Sequence, residues 1–111
     1  MSARVLFAEP CRYDTSQAKE FGDVVYLFPV EGDRPGIFDP LLLLAIRRKL
    51  ETLRFDASSD WVVAAGSVVL VSHLLAVVAV DHGEVNLLLF DAETREYRPR
   101  SIERLEDARE S

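Results

Sequence analysis

Three short stretches of this chain carry residues whose types and spacing suit chemistry. The first is "EPCRYD", which sets a thiol, a guanidinium, a phenol and a carboxylate at consecutive positions, Cys11, Arg12, Tyr13 and Asp14, just after Glu9. A cation beside a cysteine favours the thiolate, an arginine pairs with anions, and a tyrosine ring stacks on flat ligands. The second stretch is Gly66-Ser67, where a backbone without a Cβ precedes a hydroxyl at the start of a long apolar segment. If that segment is a helix, its first N–H groups have no internal partner and attract a phosphate or carboxylate, although a serine there also serves as a plain N-cap. The third is Asp91, the acid that closes "VNLLLFD". Neither GxGxxG nor GxxxxGK[ST] is present, so no glycine-rich phosphate loop is indicated.

Catalysis needs more than these groups. A nucleophilic cysteine requires a base, and the two histidines, His73 and His82, lie inside and at the end of the apolar segment. Nine residues separate them, about 13 Å along a helix axis, so they cannot share a metal ion. Glu9, Asp14 and Asp91 form no identifiable acid/base couple. The expectation is a protein that is not an enzyme, with no catalytic residues, no metal and no cofactor.

The elements that must hold these residues follow from local patterns. "RVLFA" (Arg4–Ala8) and "DVVYLFP" (Asp23–Pro29) are apolar runs that read as buried strands. Between them, "DTSQAKEFG" offers Asp14 as N-cap, Gln17 as its capping-box partner and Gly22 as the stop, which predicts a helix of about two turns. Asp39 and Pro40 open the next helix, with Leu43, Ile46, Leu50 and Leu53 on the face that packs on a sheet, and with Leu41 and Leu44 projecting elsewhere. "WVVAA" (Trp61–Ala65), "VNLLLFD" (Val85–Asp91) and "YRPRSI" (Tyr97–Ile102) read as further strands, and Pro99 confines the last to an edge or to irregular pairing.

From Trp61 to Val80, twenty consecutive residues carry no formal charge. That length meets the requirement for a membrane span. Acidic residues at both ends, Ser72 and His73 in the middle, and cations on both sides argue instead for a strand, a Gly-Ser turn and a buried helix from Ser67 to His82, ended by Gly83. Such a helix is apolar on every side and needs cover on every side. A chain of 111 residues has little to lay over the outer face, so a second copy is expected, with Leu41, Leu44, Leu70, Leu74 and Val77 as the oligomer interface. The alternative is cover from the other helix and the tail within one subunit.

Alternating strands and helices give an α/β fold, a small Rossmann-like three-layer arrangement with a mostly parallel sheet of four strands plus a C-terminal hairpin strand. Residues 1–102 form one domain and 103–111 a charged C-terminal tail. In such sheets ligands bind outside the carboxyl ends of the strands, which groups Arg12, Tyr13, Asp14, Gly66, Ser67 and Asp91 as candidate ligand-binding residues if the first and third strands are neighbours. The net charge of −6 disfavours nucleic acid and anionic membranes as partners. One cysteine and the lack of a signal-like start point to the cytoplasm.

The stretches "YDTSQAKEFGDVVYLFP", "FDPLLLLAIRRKLETLRFDASSDWVVAAGS" and "HGEVNLLLFDAETREYRPRSI" together resemble a family of small uncharacterised prokaryotic and phage α/β proteins. The resemblance runs from Tyr13 to Ile102. It implies a mobile-element accessory protein without an established activity, and by position it points at Tyr13, Asp14, Gly66, Ser67, Asp91 and Tyr97. Relatives carry a His or Asn before the aspartate-tyrosine loop, where this chain has Cys11-Arg12. Two functions follow as expectations: a homodimeric, non-enzymatic interaction protein, or a binder of a nucleotide or other phosphorylated ligand at the Gly66-Ser67 turn.

Overall fold

Strand periodicity divides the sheet's side chains into two sets, and each set has its own cover. In the computed structural model, which describes residues 3–10, 15–30 and 32–103, the chain forms strands β1 (Arg4–Phe7), β2 (Asp23–Tyr26), β3 (Trp61–Val63), β4 (Val85–Asp91) and β5 (Glu96–Ile102). Two helices, α1 (Leu42–Leu53) and α2 (Val68–His82), follow β2 and β3. The five strands make one mixed sheet in the order β2-β1-β3-β4-β5. β1 pairs in parallel with β2 and β3, β3 in parallel with β4, and β5 returns antiparallel along β4. β5 lies at the edge, where the missing N–H of Pro99 can face away from β4.

Leu6, Ala8, Val62, Val85 and Leu87 point to the side covered by α1 and α2. Val5, Phe7, Val63, Leu88 and Tyr97 point to the other side, against Ala18 and Phe21. The expected third layer is therefore reduced, among the described residues, to one 310 turn at Ala18–Glu20. The two-turn helix predicted across "DTSQAKEFG" does not extend over its described part: Gln17 makes no side-chain cap bond, and the turn closes after three residues. Asp14, its expected cap, lies outside the described residues. Gly22 is required for a reason other than stopping a helix. Its φ is +155°, and a Cβ there would fall 2.2 Å from the carbonyl oxygen of Ala3, beside the bond from Asp23 N–H to that oxygen.

The ends of both helices are built locally. Asp39 Oδ1 accepts from the Leu41 N–H at 2.9 Å and its carbonyl accepts from the Leu42 N–H at 3.0 Å, but this makes a turn ahead of α1: the cap position is Leu41, which forms no side-chain capping bond, so the helix starts later than the expected Asp39-Pro40 opening. Leu42, Ile46 and Leu50 are the buried residues of α1, while Leu43, expected on the sheet face, is exposed. Ser67 Oγ accepts from the Leu70 N–H, and Gly83 closes α2 in the left-handed conformation. No helix among the described residues is long and apolar enough to cross a membrane.

One buried acid ties these elements together. Asp60, at the start of β3, accepts from the Arg4 N–H, from Arg4 Nη2 at 2.9 Å and from the Asp56 N–H at 2.8 Å. Arg4 also donates to the carbonyls of Leu53 and Arg54, the open end of α1. A buried carboxylate is tolerable only when paired and hydrogen-bonded, and Asp60 is both.

Candidate functional site

The chain leaves β1 for β2 on one side and then returns past β1 to β3 on the other. That reversal makes the carboxyl ends of β1 and its two neighbours the place where an open α/β sheet offers a crevice. The register Leu6↔Val62 makes β1 and β3 neighbours, which is the condition for the loop after β1 to meet the Gly66-Ser67 turn. Cys11, Arg12, Tyr13 and Asp14 lie outside the described residues; of the two loops at this edge, Glu9 and Pro10 follow β1 and Ala64 to Ser67 follow β3.

Gly66 has φ +111° and open space where a Cβ would stand, so backbone conformation alone accounts for the glycine. Ser67 Oγ is 3.4 Å from the Leu70 nitrogen, a long capping bond that occupies the hydroxyl on the helix itself. Asp91 stands two strands away from β1. Its Oδ1 accepts from the Glu93 N–H at 3.0 Å and its Oδ2 meets Arg98 at 3.3 Å, so it shapes the β4–β5 turn. The Glu93 amide, with Thr94 and Arg98, holds its carboxyl below the usual range.

A cleft of about 560 Å³ opens at the ends of β1 and β2, lined by Glu9, Pro10, Phe28, Pro29, Val30 and Arg34 among others. Arg34 Nε donates to Glu9 Oε2 at 3.1 Å across its mouth. The histidines are placed elsewhere. His73 Nδ1 lies 2.7 Å from the Val69 carbonyl, and His82 sets its ring edge against Phe55. Among the described residues no group of three His, Cys, Asp or Glu could hold a metal ion.

Of the expected interface residues, Leu41 and Leu44 are 59% and 40% exposed. Leu70, Leu74 and Val77 are a correction: they are buried in the chain's own core beneath α2. A helix that is apolar on every side has no polar stripe to mark its outer face. The outer face proves to be Val68 and Val80, 79% and 78% exposed, with exposed Ser72, Ala76 and Ala79.

A family model described as phage Pam3 gp32-like protein matches residues 7–104. The chain belongs to the phage Pam3 gp32-like family. The match takes in β2 to β5, both helices and the end of β1. No curated protein and no solved structure matches the chain.

In this member of the phage Pam3 gp32-like family, two features escaped the reading of the sequence. Arg34 sits in "EGDRPG", where turn formers and charges signal only a solvated loop. Its meeting with Glu9, 25 positions earlier, depends on the pairing of β1 with β2. Phe38, 92% exposed just ahead of α1, carries no pattern that separates it from a core aromatic.

Proposed function

We propose that this protein is a non-enzymatic accessory protein of phage or mobile-element type that acts through protein–protein contact, as a homodimer, in a reducing cytoplasm. The supporting observation is the outer face of α2, which carries no charge from Val68 to Val80 and is nonetheless open to solvent. Soluble chains rarely leave such a helix face bare.

A second copy suits this face in extent. α2 has 15 residues, a length of about 22 Å. With exposed Leu41 at the cap of α1 and exposed Leu43 and Leu44 in its first turn added, the surface offers a total burial on the order of 1,000 Å² between two copies, the lower bound for a specific interface. Small residues at Ser72, Ala76 and Ala79 let two backbones approach closely.

Multi-angle light scattering at micromolar concentration tests the reading. The wild-type chain is expected at twice its monomer mass, and Val80→Lys, which alters an exposed position, at monomer mass with unchanged circular dichroism. A wild-type monomer at those concentrations removes the basis for the proposal.

A further inference from the structure

The cleft beyond β1 and β2 plays no part in the dimer reading, and its lining has a definite chemical preference. Its volume of about 560 Å³ falls in the range of small-molecule sites. Pro10, Pro29 and Val30 supply apolar walls, and Phe28, which also lines the cleft, is buried in the core behind. Two charged side chains enter side by side, Arg34 and Glu9, only 22% and 29% exposed.

The way this pair is joined leaves capacity on both members. Among the described residues, Arg34 donates from Nε to Glu9 Oε2 and from Nη1 to the Pro35 carbonyl, both at 3.1 Å. A guanidinium has five N–H donors and a carboxylate about four acceptor sites, so this one-point contact keeps Nη2 as a donor next to Oε1 as an acceptor. The pair is neutral as a whole. A net anion in the cleft meets the carboxylate of Glu9, and a net cation meets the guanidinium, whereas a neutral group with an N–H next to a C=O satisfies both.

We propose that the cleft binds a nucleobase-type heterocycle by its lactam or imide edge, between the apolar walls. Glu9 accepts the ring N–H and Arg34 donates to the adjacent carbonyl oxygen. Because the charges are mutually compensated, the site does not depend on the phosphate-binding loops that the sequence lacks.

Uridine and guanosine are the probes, titrated against the full chain and followed through the Arg34 side-chain N–H signals in nitrogen–proton spectra. Saturable binding is expected. N3-methyluridine and N1-methylguanosine, which lack the donated N–H, should bind at least tenfold more weakly, since a site built for a hydrogen bond leaves its own groups unpaired without it. Glu9→Ala and Arg34→Ala should lose at least as much, with folding checked by circular dichroism. Arg34→Lys retains the charge without the planar fork and should also weaken binding. The proposal is overturned by absence of saturable binding in the wild type, or by equal affinity for the methylated nucleosides or for the folded alanine variants.

Discussion

The two faces of one sheet meet the same burial requirement with different means. Toward the helices, the core is mostly aliphatic, Phe28 and Phe55 apart: Leu6, Val62 and Leu87 lie under Ile46, Leu50, Leu70 and Leu74. On the opposite face the cover among the described residues is one 310 turn, and aromatic rings take up the work. Phe7 and Tyr26 are direct neighbours across β1 and β2 with ring centroids 5.8 Å apart, Phe90 and Tyr97 are direct neighbours across β4 and β5 at 5.3 Å, and Phe21 of the turn segment sets its edge on Trp61 at 5.7 Å. Two helices can enclose small branched side chains from above. A single turn cannot, so large rings spread sideways over the sheet and shield one another.

This contrast makes a graded set of predictions, largest first. Leu74→Ala removes a fully buried side chain from between α2 and the sheet, where rigid cover on both sides limits collapse. It should cost about 4 kcal/mol in urea unfolding. Asp60→Ala, at the node that joins the carboxyl end of α1 and the loop after it to β1, should cost about 2.5 kcal/mol, the loss being tempered because Arg4 retains some water and its two carbonyl partners. Phe21→Ala, a half-buried ring on the second face, should cost only about 1.5 kcal/mol. If it costs as much as Leu74→Ala, the second face is packed as tightly as the first and the contrast is broken.

The smallest effect concerns pH and should not distinguish the faces. Asp56 is held below the usual carboxylate range by the Ser58 hydroxyl, Asp81 by Arg47, and Asp91 by the Glu93 amide. All three titrate at the surface. With a lowered folded pKa, the unfolded chain takes up protons first as the solution is acidified. The stability these groups contribute is therefore whole above about pH 4 and lost below it as pH falls through their folded values. Urea midpoints at pH 7, 5 and 3 check this: a flat response from 7 to 5 and a decline by 3 are expected.

How much was legible in the sequence depended on how local its cause was. The turn into α2, its serine cap and its Gly83 stop are set by neighbouring residues, and so is the span Val85–Asp91 of β4; all could be placed directly. Pro99 left β5 an edge position or irregular pairing, and the sheet took the first. In the first crossover the helix was read as too long over its described part, because capping residues favour a helix only if tertiary packing rewards its length, and Gly22 lies against Ala3, just ahead of β1, instead. On α1, Leu43 was expected on the sheet face, and packing turned Leu42 inward instead. The candidate site was legible as a location, the carboxyl edge of the parallel strands. Arg34 was not, since its pairing with Glu9 requires two strands to lie side by side.

The sequence by itself determined where α2 begins and ends and that every side of it is apolar, because caps and composition act over one or two turns. Only the tertiary structure decided which stripe of that helix meets the sheet, since a uniformly apolar helix has no rotational preference until neighbours cover one side. Leu70, Leu74 and Val77 were drawn inward beneath α2, and Val68, Ala76 and Val80 were left outside.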